Sequence, residues 1–237
     1  MAAGRGRLML QNIAEQGGGH FEWVFRGTDK KPFYGEVSLS LIPADDRYHV
    51  QLVIRDITAR MLALQQMSHE ASHDPLTGLA NRREFERRLA VAQADVALDS
   101  SHQHIVCLLD LDKFKVVNDT AGHAAGDELL KQLAGLMKSR VRASDLLARF
   151  GGDEFGLLLE NCSTERAVFI VLDLIQAVEE HRFESGGRVF RVGVSVGMVP
   201  LTSDSPALDA LLGMADAACY SAKSDGSRFK MARAADA

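Results

Sequence analysis

Two glycines and two acids stand side by side in residues 148–160, which read ARFGGDEFGLLLE. Gly151 and Gly152, set between two apolar runs, predict a hairpin. The hairpin does not account for Asp153 and Glu154, because strands favour β-branched and aromatic residues over acids. Paired carboxylates at a tight turn are typical of a cation site, and glycines let a phosphate or sugar approach the backbone closely.

Further acids end the apolar segment HIVCLLDLD at residues 104–112. This segment is apolar on both faces, which predicts a central strand covered by helices on both sides. Asp112 fits a helix N-cap, whereas Asp110 lies where open α/β sheets hold ligands and needs a cation or donors to offset its desolvation. If the hairpin pairs alongside this strand, Asp110 and Asp153 approach each other, and Mg²⁺ would relieve their repulsion. The residues therefore favour a metal-dependent nucleotide enzyme over a merely well-capped hairpin.

Alternating helical and strand patterns surround these acids and predict an α/β or α+β domain. Asn81 and Glu84 are spaced as a capping box at the start of a helix. Further helices are predicted at 126–141, 163–180 and 206–223, with a strand pair around 188–199.

The residues before this domain have different periods. Residues 20–56 alternate as three antiparallel strands, and residues 7–16 predict a short helix before them. From Ile57 the apolar period changes to the a/d spacing of a coiled coil, although two heptads leave a plain amphipathic linker helix equally open. The positions with that spacing are Ile57, Met61, Leu64, Ser68 and Ala71.

The composition is that of a soluble protein of one or two domains, with 46% hydrophobic and 25% charged residues in a chain of 237. A net charge of −5 argues against a nucleic-acid partner. The three cysteines lie in apolar runs and predict reduced thiols in the cytoplasm. No apolar run approaches the roughly 20 residues that span a bilayer. We expect a cytoplasmic protein, or the cytoplasmic part of a membrane-anchored sensor whose membrane contact comes from segments upstream.

Four motifs in order carry a resemblance to the GGDEF family of diguanylate cyclases over roughly residues 72–230. The resemblance implies a central, mostly antiparallel sheet wrapped by helices, similar to polymerase palm and adenylyl cyclase domains. It also implies that two GTP molecules, held by two domains face to face, are joined into cyclic di-GMP with release of two pyrophosphates. The motifs are DPLTGLANRREF (74–85), DLDKFKVVNDTAGHAAGDELL (110–130), GGDEF (151–155) and ADAACYSAKSDG (215–226).

The resemblance assigns the metal and catalytic roles position by position. Asp110, the backbone carbonyl of Leu111 and Asp153 would bind Mg²⁺ or Mn²⁺, and Glu154 would assist at the metal. Asp153 would also accept the proton of the attacking 3′-hydroxyl. Lys115 would stabilise the charge that develops on the phosphates.

The resemblance also implies a guanine and phosphate site. Asn118 and Asp127 would read the guanine edge, which implies GTP as the substrate. The family usually has Arg directly after the glycine at 226, where this chain has Ser227, so either Arg228 substitutes or triphosphate binding is weaker. The substrate-binding positions implied in this way are Asn118, His123, Asp127, Gly151, Gly152, Lys223 and Arg228.

Regulation is implied by the segment RASD, in which Arg142 and Asp145 match the family's product-inhibition motif for cyclic di-GMP. Arg-x-x-Asp is also a common helix-end arginine followed by a turn aspartate. Within the family pattern, product inhibition is the favoured interpretation.

Residues 1–56 resemble the C-terminal half of a PAS domain, with Asp56 and Thr58 at its junction into a signalling helix. The implied organisation is therefore a partial PAS domain at 1–56, a linker helix at 57–73 and a GGDEF domain at 74–233. A homodimer through the linker helix and the PAS part is expected.

A different class of function is a non-catalytic module that binds GTP or cyclic di-GMP within a larger GGDEF–EAL protein. The intact acids Asp110, Asp153 and Glu154 favour the enzyme. The sequence leaves open the upstream signal or PAS ligand, a following EAL domain, the effect of Ser227 and the oligomeric state in solution.

Overall fold

The computed structural model describes residues 18–232 except 29 and 46, so the short helix predicted at 7–16 lies outside the described residues. The chain divides into two compact units, Met1–His69 and Glu70–Ala237. In the part of the chain that is described, no helix is long and apolar enough to cross a bilayer.

The first unit contains the three antiparallel strands that the alternating pattern predicts, in the order β1-β2-β3. They are β1 (Gly18–Arg26), β2 (Pro32–Ala44) and β3 (Arg47–Asp56). Val37 and Leu39 of β2 form the buried apolar cluster of this sheet and pack against Phe21 and Phe25. The sheet therefore has a small core on one face.

Helix α1 (Thr58–Ser72) follows β3 directly. Asp56 accepts a hydrogen bond from the backbone N–H of Thr58 at 2.8 Å, and the hydroxyl of Thr58 accepts one from the N–H of Tyr34 at 2.9 Å. These bonds fix the junction between strand and helix. Leu62 and Leu64 are 54% and 51% exposed, so the helix presents apolar side chains to solvent. Both interpretations of this helix, coiled coil and plain linker, remain predictions.

The second unit is built on a sheet of six strands with helices on both faces. Its strands are β4 (Ala80–Asn81), β5 (His104–Asp112), β6 (Leu146–Gly151), β7 (Glu154–Leu159), β10 (Gly193–Leu201) and β11 (Phe229–Met231). Its helices are α2 (Arg82–Leu98), α3 (Phe114–Ala121), α4 (His123–Arg140), α5 (Thr164–Glu180) and α6 (Leu208–Asp225). A separate hairpin consists of β8 (Phe183–Ser185) and β9 (Arg188–Phe190).

The strand order β11-β10-β5-β7-β6-β4 places β5 inside the sheet, which confirms the predicted central strand. It pairs antiparallel with both β7 and β10, and parallel pairing is confined to the outer strands β4 and β11. Ile105, Cys107 and Leu109 pack into the core with α4 and α5, whereas Val106 packs into the core with α2 and α6. The mixed, mostly antiparallel sheet wrapped by helices agrees with the expected fold class.

The strand pair predicted around 188–199 is wrong in its pairing. β9 pairs with β8, and β10 pairs with β5 and β11. Gly186 and Gly187, with φ of 57° and 74°, make the tight turn that joins β8 to β9. A short helix, α3, was not predicted, and α4 begins at His123 rather than at 126 because Gly122 separates the two helices with a φ of 85°.

The predicted start of α2 is confirmed at Asn81, whose side chain accepts a hydrogen bond from the N–H of Glu84 at 3.0 Å. In a full capping box the carboxylate of Glu84 would also accept the backbone N–H of Asn81. Here it accepts hydrogen bonds from Arg87 instead, at 2.8 and 2.6 Å.

Helix α6 lies directly on the backbone of β10. A Cβ on Gly197 of β10 would lie 2.0 Å from the carbonyl oxygen of Ala215 and 2.4 Å from the backbone nitrogen of Cys219. Real Cβ atoms do not approach backbone atoms so closely, so this position accepts only glycine without moving the helix.

Candidate active site

The β6–β7 hairpin brings its acids to the carboxyl end of β5. Asp110 and Glu154 are directly opposite each other in the antiparallel register, so their side chains share a face of the sheet. The backbone N–H of Leu111 donates to the carbonyl of Asp153 at 3.2 Å. The hairpin therefore pairs alongside the central strand as the sequence predicts. This pairing places Glu154 opposite Asp110 and the backbone of Asp153 next to that of Leu111.

The bend of the hairpin is open to solvent on the side of the glycines. Gly151 and Gly152 have φ of 145° and 52°, which L side chains rarely adopt. A Cβ on either residue would have no other atom within 4 Å. The glycines are thus required by backbone conformation, and they leave free space beside the acids.

Lys223 of α6 supplies a cation to this cluster. Its ammonium donates a hydrogen bond to Oδ1 of Asp110. Burial lowers the pKa of Lys223, but the hydrogen bond and charge of Asp110 and the charges of Asp112 and Asp153 raise it, with a net increase above the ordinary value of 10.5. The side chain of Lys223 therefore stays protonated, and its positive charge faces the carboxylates at the end of β5.

The donor set at this edge suits a hard cation. Among the described residues, no three His, Cys, Asp or Glu side chains converge into a preformed metal centre. Mg²⁺, however, is commonly held by one or two carboxylates, with waters and substrate phosphates completing its shell. The carboxylates of Asp110 and Asp153 and the carbonyl of Leu111 are oxygen donors at one strand end, so the residues fit Mg²⁺ that arrives with a nucleotide.

Asp112 has a different role from the helix N-cap that its position suggests. The N-cap of α3 is Lys113, which has a left-handed backbone with φ of 64° and no capping side-chain bond. Asp112 instead accepts hydrogen bonds from the hydroxyl of Ser195 on β10 at 3.0 and 3.2 Å. The N-cap interpretation is therefore wrong, and Asp112 ties β5 to β10.

The residues expected at the guanine edge lie on the two helices that Gly122 separates, Asn118 on α3 and Asp127 on α4. Asn118 is half-buried against α4, where a Cβ on Gly126 would lie 1.9 Å from its Oδ1. Asp127, the next residue along, is exposed, as are His123 on the first turn of α4 and Lys115 on the first turn of α3. The structure thus places Asn118 against Gly126, the residue that precedes Asp127, with Asn118 partly exposed and Asp127 exposed.

The two charged residues of the RASD motif have different environments, because Asp145 is buried and Arg142 is exposed. Asp145 is only 4% exposed, and it accepts hydrogen bonds from the backbone N–H groups of Arg142 at 3.0 Å and Glu160 at 3.4 Å. The side chain of Arg142 is exposed. Asp145 therefore holds the turn before β6, and Arg142 is the member of the pair that is available to a ligand.

Arg228 does not lie against the Lys223–Asp110 contact. Its Nη2 is 3.1 Å from Oε2 of Glu179, at the end of α5. Glu179 lines a cavity together with Lys223, so the ion pair borders the proposed phosphate site. Reasoning from the sequence missed Glu179, because the contact joins two elements that are distant in the chain.

A second cavity adjoins the acids on the face of the sheet that carries α6. Lys223 and Glu154 line it together with Phe150, Asp216 and Tyr220. Asp216, Tyr220 and Lys223 recur at helical spacing on one face of α6. That spacing is the sequence signal by which Asp216 and Tyr220 could have been found.

These features agree with the comparison with known families. The family described as "Diguanylate cyclase, GGDEF domain" matches residues 71–228, more than half of the chain. The chain therefore belongs to the GGDEF diguanylate cyclase family.

Individual relatives agree with this assignment. The chain is 49% identical over 176 residues to the probable diguanylate cyclase DgcE of Escherichia coli, a match that covers 74% of this chain and 16% of DgcE. It is 35% identical over 177 residues to the cyclic di-GMP phosphodiesterase PdeB of Shewanella oneidensis, covering 74% of this chain and 20% of PdeB. The chain thus spans a fifth or less of the length of these two relatives.

A solved structure that comprises only the GGDEF domain of Pseudomonas aeruginosa TpbB superposes with a TM-score of 0.62. The two sequences are 36% identical, and the match covers 68% of this chain and 94% of that structure. The similarity is therefore to a whole GGDEF domain.

Proposed function

We propose that the chain is a Mg²⁺- or Mn²⁺-dependent diguanylate cyclase, which joins two GTP molecules into cyclic di-GMP and releases two pyrophosphates. The observation that supports this most directly is the position of the acids at neighbouring strand ends. Asp110 lies opposite Glu154, the carbonyl of Asp153 accepts the N–H of Leu111, and the ammonium of Lys223 donates to Asp110. Membership of the GGDEF family supplies the reaction class.

The acids would act on the attacking nucleotide. Asp110, Asp153 and the carbonyl of Leu111 would hold the metal, with Glu154 assisting. When bound, the metal ions would stabilise the attacking oxygen and the departing pyrophosphate. Asp153 would take the proton of the 3′-hydroxyl as its oxygen forms a bond to the α-phosphorus of the second GTP. The bond from that phosphorus to the pyrophosphate oxygen breaks, and the pyrophosphate leaves with the electron pair.

Lysines would hold the phosphates. Lys223 is 42% exposed and faces the acids, so its ammonium can move from Asp110 to a phosphate oxygen. Lys115 is exposed on the first turn of α3, close in sequence to the acids of β5. Both would offset the negative charge that increases on the phosphates during transfer.

Asp127 and Asn118 would select guanine. A carboxylate accepts hydrogen bonds from the N1 and N2 donors of guanine, and adenine lacks this donor pattern. Asp127 is exposed and follows Gly126, against which Asn118 packs, so both side chains would be within reach of a base bound across α3 and α4.

Catalysis would require two copies of the domain, since each GTP supplies the hydroxyl that attacks the other. The exposed Leu62 and Leu64 of α1 offer an apolar surface for pairing of the linker helices. Together with the partial PAS domain at 1–56, this helix would form the homodimer. Arg142 would bind cyclic di-GMP as an inhibitor.

A non-catalytic module that binds GTP or cyclic di-GMP is the second candidate. The similarity to part of PdeB, a relative with the name of a phosphodiesterase, is the observation that favours it. The complete set of acids at Asp110, Asp153 and Glu154 favours the cyclase.

Incubation of the purified chain with GTP and Mg²⁺, followed by mass spectrometry of the nucleotides, tests the proposal. We expect cyclic di-GMP and pyrophosphate, no product from ATP, and loss of product on addition of EDTA. Binding of GTP without any product would contradict the cyclase and support the module.

A further inference from the structure

A cavity at the carboxyl end of β5 combines cations with acids. Its charged lining residues are Lys113, Arg191, Lys223, Asp112 and Glu179. Asp112 is engaged by Ser195, and Lys223 is engaged by Asp110. Within the described residues, the side chains of Lys113 and Arg191 make no hydrogen bond or ion pair. The cavity therefore offers positive charge to an anion next to the proposed phosphate contact of Lys223.

Glu179 differs from the other charged residues that line the cavity. It is the carboxylate in the cavity that is not tied to the sheet, and a carboxylate beside a phosphate site opposes phosphate binding by charge repulsion. Its partner is Arg228, whose Nη2 lies 3.1 Å from Oε2 of Glu179. Glu179 thus holds an arginine at the edge of the cavity.

The backbone of Arg228 is anchored, whereas its side chain is free to turn. Its carbonyl accepts a hydrogen bond from the N–H of Val196 on β10 at 2.9 Å, and its φ of 53° is uncommon for a residue other than glycine. Its side chain is 59% exposed, and that of Glu179 is 34% exposed. The guanidinium can therefore change partners without movement of the sheet.

The relative strengths of the two possible partners favour such an exchange. An exposed ion pair contributes little to stability. The terminal phosphates of GTP carry more negative charge than a single carboxylate and accept hydrogen bonds from arginine in a bidentate manner. Lys223 and Glu179 line the same cavity, and Glu179 holds Arg228, so a nucleotide whose phosphates contact Lys223 would lie near the guanidinium of Arg228.

We propose that Glu179 and Arg228 form a substrate-displaced ion pair, in which Arg228 leaves Glu179 to bind the terminal phosphates of GTP. Glu179 is then a positioning residue that weakens the affinity for GTP, and Arg228 is a phosphate-binding residue. This inference rests on the proposed function and adds to it the competition that sets the affinity.

Five variants of the whole chain test the exchange: E179Q, R228A, R228K, the double variant E179Q/R228A, and E180Q as the control. Glu180 is the next residue on α5 and accepts a hydrogen bond from Gln176, so its substitution makes the same change of charge. We expect E179Q to lower the KM for GTP by about two- to five-fold, with kcat little changed, because the competing carboxylate is gone. R228A should raise the KM, R228K should restore part of the affinity, and E180Q should behave as the parent.

The double variant distinguishes exchange from general repulsion. If Glu179 acts through Arg228, E179Q has no effect in the R228A background. A KM that falls equally in both backgrounds, or that E179Q leaves unchanged or raises, overturns the proposal.

Equilibrium binding of GTP with Mg²⁺ separates this inference from the proposed activity. If the parent binds GTP but forms no cyclic di-GMP, the proposed activity fails, and the dissociation constants of the same variants still decide the exchange. If the parent binds no GTP, both proposals are overturned.

Discussion

Two groups of carboxylates in the second unit differ in the hydrogen bonds that the protein donates to them. Asp74 accepts hydrogen bonds from the backbone N–H and hydroxyl of Thr77 at 2.9 and 2.7 Å, and from Nη1 of Arg149 at 3.0 Å to each oxygen. Burial raises the pKa of Asp74, but the bonds from Thr77 and Arg149 lower it more. Asp145, which is almost fully buried, similarly accepts two backbone N–H groups.

The acids at the end of β5 and in the hairpin accept fewer hydrogen bonds from the protein. Asp110 is bound by Lys223, a side chain that is 42% exposed. Among the described residues, no group donates a hydrogen bond to the carboxylates of Asp153 and Glu154. Asp74 and Asp145 thus have hydrogen-bond donors from the protein, whereas Asp153 and Glu154 have none among the described residues. The substitutions below test this contrast, because the two groups should fail in opposite ways.

Replacing Asp153 with Asn should have the largest effect, and on activity alone. We expect formation of cyclic di-GMP to fall on the order of 10³-fold, because the metal contact and the proton acceptor are lost together. The free energy of unfolding should change by no more than about 0.5 kcal/mol, since no protein donor loses its partner. Product formation and urea unfolding check the two parts, and D204N on an exposed loop is the control with the same change of charge.

Replacing Asp74 with Asn should show the reverse pattern. Arg149 is 10% exposed and would lose its charged partner, so the free energy of unfolding should fall by about 2 kcal/mol. Circular dichroism of the helices should follow this loss, because the only tryptophan, Trp23, lies in the other unit and does not report on it. A D74N protein as stable as the parent would contradict the structural role.

The same pair predicts a dependence of stability on pH. The pKa of Asp74 is below its ordinary value of 3.8 in the folded protein. Its contribution is therefore complete above the unfolded value and is lost as the pH falls through the lower folded value. Unfolding of the parent and D74N at pH 7, 4 and 3 should show that their difference shrinks only below about pH 4. A difference that persists unchanged at pH 3 would show that the charge of Asp74 is not responsible.

Replacing Arg142 with Ala should have the smallest of these effects. The concentration of cyclic di-GMP that halves the activity should rise about tenfold, the value of one charge-assisted contact. Stability should be unchanged, because the side chain is exposed. By contrast, D145N should destabilise the fold by about 1–2 kcal/mol through loss of the turn. If R142A leaves inhibition unchanged, the product-inhibition role of this motif is wrong.

The sequence predicted the strands and helices in which buried apolar side chains recur at a regular spacing. β5 was found because it is covered on both faces, and the long helices α2, α5 and α6 because each buries one face. Elements of three residues, such as β8 and β11, are too short for a period to show. Helix α3 has eight residues and begins at a left-handed lysine rather than a capping residue, so its start has no sequence signal.

In the candidate site too, some contacts could be predicted from the sequence and others could not. The approach of Asp110 to the hairpin acids follows from strand pairing, which the turn residues reveal. The partners Ser195 for Asp112 and Glu179 for Arg228 depend on how separate elements pack, and neither motif nor spacing specifies them. Strand pairing could therefore be predicted from the sequence, but the hydrogen-bond partners that the protein supplies to each acid could not.

The contact between Gly197 and α6 has a consequence for chemistry as well as packing. Lys223 lies one helical turn beyond Cys219, whose backbone nitrogen limits the space at Gly197. A methyl group on Gly197 would push α6 away from β10 and so shift the ammonium of Lys223 relative to Asp110. The absence of a side chain at position 197 therefore sets how close α6 lies to the sheet, and with it the distance between Lys223 and the end of β5.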